Sequence, residues 1–218
     1  MSRTNWQHRT LGAVETKVPP ELFHHLSVVS TSTRYNYPYW RDEMIDLAGI
    51  NPVGPATAPT ADPNGEGFLF AGGSTDTVAV LGRQINHDCV QGLAVVIVPH
   101  IHWRKTTAAA GNVVWRCEYK IAAPGGDFGE YVQIGTDQIL PISATVDNDT
   151  AIRHLLTSFG ELTIPVSLSS KIYFKLTRVA SDTVNDTYGA DALAMSFDYH
   201  YPADSPGSYE EYSKGDLP

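Results

Sequence analysis

Two histidines at alternate positions, His100-x-His102, are the residues of this chain best spaced to do chemistry together. On a β-strand both imidazoles project from one face, roughly 7 Å apart along the chain, which is close enough to chelate one metal ion. Arg104, Lys105 and Thr106 stand where a nearby carboxylate ligand would be wanted, and two cations beside an ion are unfavourable. Glu118 and His200 could complete a polar cluster with His100 and His102 only if strand order brings them together. The expected use is therefore a polar cross-strand network with Glu118 or Asp198, holding no metal and no cofactor. In a trimer, the same pair from three chains could surround an ion on the axis.

Other reactive constellations are weaker. Asp182-Thr-Val-Asn185-Asp186-Thr-Tyr-Gly189-Ala-Asp191 is rich in carboxylates, but its spacing is not that of an EF-hand loop, and a turn capped by Asx side chains is expected. There is no G-x-S-x-G, and Gly72-Gly73-Ser74 lacks the strand-to-helix setting of a nucleophile elbow. G-x-G-x-x-G and G-x-x-x-x-G-K are absent as well, so no nucleotide motif is present. Neither Cys89 nor Cys117 has a histidine partner by local signature, and both read as reduced thiols. No acidic pair stands out for glycoside hydrolysis. No residue is assigned a catalytic role. Tyr35, Tyr37, Tyr39 and Trp40, clustered around Pro38, read as packing anchors at an interface, with stacking on sugars as the alternative.

The elements that must position these groups are strands. Leu93, Val95, Ile97, Ile101 and Trp103 alternate with Val96, Val98, His100, His102 and Arg104. After a Thr/Ala/Gly break, Val113, Trp115, Cys117, Tyr119 and Ile121 alternate with Arg116, Glu118 and Lys120. Two such runs joined by a short polar loop predict an antiparallel pair with one buried side carrying both tryptophans. Further strands are expected at Phe68–Phe70, Thr77–Leu81, Tyr131–Ile134, Ala151–Ser158, Glu161–Ser167, Lys171–Arg178 and Ala192–Tyr201. About eight closely spaced strands without alternating helices select an all-β antiparallel sandwich. A jelly roll is the economical form and an immunoglobulin-like sandwich the runner-up.

Residues 1–66 do not carry such a pattern. Glu43 to Ile50 reads as one or two helical turns, and the proline-rich stretch from Asn51 to Gly65 reads as extended. The expected division is an extended N-terminal arm over 1–66 and a β-sandwich domain over 67–218. The net charge of −9 argues against binding a nucleic-acid backbone. No signal-peptide core or membrane span is expected.

Several motifs in order carry a resemblance: Pro99-His-Ile-His-Trp103; Trp115-x-x-Glu118-Tyr119-x-Ile121-Ala122; Gly126-x-Phe128; Ser158-Phe-Gly160; Ser169-Ser170; Asp186-Thr-Tyr-x-Ala-Asp191-Ala-Leu193; Phe197-Asp-Tyr-His-Tyr201; and Asp204-Ser-x-Gly207-Ser-x-Glu-Glu-Tyr-x-Lys214. Together they resemble a poorly characterised group of virion structural proteins of tailed bacteriophages, over about Gly67 to Lys214. The resemblance implies a particle component made in the host cytoplasm and located on the capsid or tail. A homotrimer in contact with the major capsid protein or other virion proteins is implied, without direct nucleic-acid or membrane contact. The first expectation is a capsid decoration (cement) protein docked by its arm through Tyr35, Tyr37, Tyr39 and Trp40. The alternatives are a tail-associated or receptor-binding protein recognising a host glycan, and a cupin-like metal-binding enzyme.

Overall fold

Alternating burial with a period of two runs through most of the chain, and that pattern closes only when strands pair on both sides. A computed structural model of the chain describes residues 39–45, 47, 57–90, 94–142, 154–165 and 167–203, and every structural statement below concerns them. Twelve strands follow in order: β1 Tyr39–Ile45, β2 Thr60–Ala61, β3 Phe68–Phe70, β4 Thr77–Gln84, β5 Ala94–Lys105, β6 Gly111–Ala122, β7 Val132–Gln133, β8 Gln138–Ile142, β9 Leu155–Ser158, β10 Leu162–Pro165, β11 Lys171–Arg178 and β12 Ala192–Ala203. They form two antiparallel sheets. One has the order β10-β5-β12-β3-β2, with β9 also on β5 and β1 also on β12; the other has the order β4-β11-β6-β7, with β8 also on β6. Among the described residues, no helix is long and apolar enough to cross a membrane.

The molecule is an antiparallel β-sandwich of the jelly-roll type, in which the chain changes sheet from β4 to β5, from β5 to β6 and again from β11 to β12. That alternation corrects one expectation. The two tryptophan-bearing runs, β5 and β6, are not a hairpin; they lie in opposite sheets and face each other across the core. Trp103 meets Trp115 edge-on with ring centroids 5.7 Å apart. Both runs needed to bury their apolar side, and facing each other satisfies that requirement as well as pairing would. Phe174 of β11 continues the contact line, 4.9 Å from Phe197 and 5.8 Å from Tyr199 of β12. Trp103 donates from Nε1 to Thr157 Oγ1 at 2.9 Å, so its one polar atom is satisfied inside the core.

A register shift between Ala194 and Ser196 breaks the alternation of β12. Met195 is the extra residue, and Ala194 rather than Met195 lies opposite Trp103. A small residue there leaves room for the indole.

Strands β1 and β2 lie inside the segment read from sequence as an arm. β1 replaces the expected helical turn at Glu43: Glu43 and Ile45 are buried, while Trp40, Asp42 and Met44 are exposed, a period of two. β1 pairs with β12 over its full length, from Tyr39↔Ala203 to Ile45↔Phe197. The folded sheet therefore takes in residues well before Gly67. Tyr35 and Tyr37 lie outside the described residues, as do the final motif from Asp204 and the start of the expected strand at Ala151.

The far end of the sandwich is held by a group that strand periodicity did not predict. Arg178, fully buried at the end of β11, lies opposite Trp115. Its guanidinium donates to both carboxylate oxygens of Asp186, at 3.1 and 2.9 Å. It also donates to the carbonyls of Phe70 at 3.1 Å and Ala190 at 2.7 Å, and to that of Tyr188. A planar five-donor fork can tie three carbonyls from two distant backbone segments to one carboxylate; a lysine could not.

Candidate functional site

The outer face of the β5/β12 sheet collects the titratable groups. Register sets this up: β5 places His100 opposite Asp198, His102 opposite Ser196 and Val98 opposite His200. β1 adds Asp42 opposite His200, and β9 adds Ser158 opposite His100 and Leu156 opposite His102. Because partners directly across a ladder share a face, these residues form neighbouring rows on one surface.

Distances confirm the cluster. Asp198 Oδ2 lies 3.1 Å from His100 Nε2, and Asp198 Oδ1 lies 3.2 Å from His102 Nε2. His102 Nδ1 is 2.5 Å from Nε2 of His154, just before β9, and those rings are stacked. His200 packs edge-on against His100, centroids 4.7 Å apart, and its Nε2 is 2.5 Å from Asp42 Oδ1. His100 and Asp198 are buried, whereas His102 keeps about a fifth of its side-chain surface and His200 nearly half.

Electrostatics inside the cluster favour positive charge. Burial of His100 works against its protonation. The hydrogen bond and charge of Asp198, the Val98 carbonyl and the charge of Asp42 together outweigh that effect, so its pKa lies above the ordinary histidine value.

Three of the four residues expected to form a polar cluster are thus brought together: His100, His102 and His200. The fourth, Glu118, is not. It projects from β6 in the other sheet and pairs with Lys175 of β11 at 2.7 Å, with the core between it and the histidines. Asp198 supplies the carboxylate instead. His154 and Asp42 are additions that strand periodicity could not suggest, since only strand order makes β9 and β1 the neighbours of β5 and β12.

Of the four aromatics proposed as anchors, Trp40 lies on the exposed face of β1, 45% accessible, with Met44 further along that face at 64%. Tyr39 begins β1 and its backbone pairs with Ala203. A second aromatic group lies on the outer face of the other sheet. Lys120 Nζ sits over the rings of Phe128, Tyr131 and Tyr173 at 5.6, 4.6 and 5.9 Å from their centroids. Lys175 and Lys171 flank it over Tyr131 and Tyr173.

The acidic loop before β12 behaves as a capped turn. Asn185 donates from its backbone N to Asp182 Oδ1 at 3.2 Å and from Nδ2 to Oδ2 at 2.7 Å. Asp191 Oδ1 accepts from the Gly72 N–H at 3.1 Å, and Asp186 is held by Arg178.

With the sandwich and its histidine face described, comparison with known proteins finds only distant likeness. No protein-family model matches the chain, and no curated protein matches it. Similar solved structures include the CBM22-1 xylan-binding domain of Paenibacillus barcinonensis Xyn10C, with a TM-score of 0.35 and 11% identity over 76% of this chain and 86% of that one. Infectious bursal disease virus, Gx strain, is similar at a TM-score of 0.38 and 12% identity, over 78% of this chain and 35% of that chain. A CBM28 module specific for non-crystalline cellulose is similar at 0.35 and 11%, over 71% and 86%. Likeness at this level carries nothing about ligand, partner or activity.

Proposed function

We propose that this protein is a non-catalytic structural component of a tailed-bacteriophage virion, a decoration protein that adds buried contact area across the shell. The observation that carries the reading is the ordered set of motifs resembling those virion proteins. Residues of those motifs also do the structural work of the sandwich. Pro99–Trp103 pairs with Phe197–Tyr201 in the central ladder, Trp103 meets Trp115 across the core, and Asp186 anchors Arg178.

Docking to the particle is assigned to the β1 edge and the chain preceding it. Trp40 and Met44 flank Asp42 on the exposed face of this edge strand and present apolar surface to a partner. Assembly as a homotrimer and contact with the major capsid protein belong to the same proposal.

Particles made without the protein should inactivate at a lower temperature than complete ones. Adding back purified Trp40→Ala/Met44→Ser protein should leave occupancy reduced at least tenfold at a concentration where the wild type saturates. Full decoration by that variant would remove β1 from the docking surface. Unchanged heat resistance of particles lacking the protein would remove the decoration role.

A second reading is favoured by one observation, the lysine-capped platform of Phe128, Tyr131 and Tyr173, which offers π-faces and cations to an acidic host polysaccharide. It requires location at the tail. Tyr173→Ala should then abolish binding of the full chain to that polysaccharide, and undiminished binding would refute it.

A further inference from the structure

We infer that His100, His102 and Asp198 form a binding site for a divalent transition-metal ion of the zinc type, with a fourth position open to solvent beside His102. The inference is independent of the virion reading.

One ligand atom from each of the three residues can be chosen so that all lie within 4.8 Å of one another. Ligand atoms around tetrahedral zinc stand about 3.3 Å apart, given metal–ligand bonds near 2.0–2.2 Å. Asp198 Oδ2 already has that spacing, 3.1 Å from His100 Nε2 and 3.2 Å from His102 Nε2. A small inward rotation of the imidazoles closes the remaining edge.

Proton placement is the stronger argument. His100 Nδ1 lies 3.2 Å from the Val98 carbonyl, which can only accept, so the ring proton belongs on Nδ1. Neutral His100 then turns the lone pair of Nε2 toward the Asp198 carboxylate. Two electron-rich atoms 3.1 Å apart in a buried site repel each other unless a cation sits between them. A proton can fill that role, and so can a metal ion. His102 has the complementary arrangement: Nε2 faces Asp198, while Nδ1 can donate to His154 Nε2. Both non-ligating nitrogens are therefore already held by partners, the outer contacts that orient metal-binding histidines and raise their basicity.

Asp198 supplies an independent sign. The residue is 7% exposed, and its Oδ1 is buried without a hydrogen bond: His102 Nε2 lies 3.2 Å from each carboxylate oxygen but is hydrogen-bonded to Oδ2. A buried carboxylate oxygen left in this state is costly, and an ion held by Oδ1 as well as Oδ2 would satisfy it. Of the two cations that discouraged a metal in the sequence, Arg104 is drawn to Glu66 at 2.7 Å, and Lys105 alternates onto the other face of β5, with Ile101 and Trp103.

The test uses the full chain, stripped with chelator and titrated with Zn²⁺ at pH 7.5, with Co²⁺ as a spectroscopic probe. One Zn²⁺ per chain should bind, raising Tm, and Co²⁺ should give the visible absorption of a four-coordinate site with nitrogen and oxygen ligands. His102→Gln, at the partly exposed ligand, should fold with an unchanged far-UV circular dichroism spectrum and bind at least tenfold more weakly. Asp198→Asn should do the same. Absence of stoichiometric binding would overturn the site. So would equal affinity in both folded variants, which would place the ion on other histidines of the chain.

Discussion

At the scale of single residues, two buried groups make the fold sensitive to conditions. Tyr201 donates to Asp88 Oδ1 and accepts from Asn86 Nδ2, each at 2.9 Å. Burial pushes its hydroxyl pKa up most. Asn86 opposes this, Asp88 adds to it, and the folded value comes to about 12. The sign follows directly: the unfolded tyrosine ionises near 10, so between about 10 and 12 the unfolded chain holds fewer protons and stability falls as pH rises. Tyr201→Phe should flatten that alkaline slope in urea unfolding measured from pH 9 to 12, and an unchanged slope would assign it elsewhere. Arg178 is the second case. Replacing it with Met strands the Asp186 carboxylate in the interior, at a cost of about 3–5 kcal/mol. Denaturant unfolding should also show Arg178→Met/Asp186→Asn recovering part of that loss, because the double variant no longer buries a lone charge. A cost below about 1 kcal/mol for Arg178→Met would mean the fork is not what closes this end.

Among the elements, β1 changes the picture most. It lies at an edge of the sheet and is fastened by side chains as well as by its ladder. Arg41 pairs with Asp88, and Glu43 accepts from Arg83 and Asn86. Those contacts join β1 to β4 and to the 85–90 segment, so β1 closes a polar seam between the sheets. Amides of residues 39–45 that donate to β12 should therefore be protected from hydrogen exchange in the isolated protein at low concentration. Exchange at the rate of an unfolded peptide would return β1 to the status of a strap that orders only on a partner. The partition of β5 and β6 into opposite sheets belongs to this scale too. Their patterns specify a buried side, and a buried side can be met by a neighbour in the same sheet or by a facing sheet. Five residues, 106–110, separate them, long enough for either.

For the molecule as a whole, two cysteines report on integrity. Cys89 and Cys117 are each about 1% exposed and form no disulfide. Burial, with Glu118 adding to it, also pushes the Cys117 thiol well above its usual pKa. Both should stay unreactive toward an aromatic disulfide reagent until the sandwich opens, and Tm should be the same with and without reductant. Fast labelling of Cys117 under native conditions would show that the sheets part locally. Long strands paired across distant sequence, such as β5 with β12 and β4 with β11, make that opening a global event.

Much of the sandwich was legible in advance because a period of two can be read without knowing the neighbours. It placed Trp103, Trp115, Phe174 and Phe197 in the core and His100, His102, Glu118 and His200 on outer faces. Sequence alone determined these faces, the absence of nucleotide and nucleophile motifs, and the acidic balance. Which outer face each residue joins was decided only by strand order, a property of pairings between segments far apart in the chain. β12 lies beside β5, so Asp198 meets the two histidines; β6 lies in the other sheet, so Glu118 cannot. The same physics hid Arg178 and β1, because a buried guanidinium and an edge strand are stable only through partners that no local pattern names.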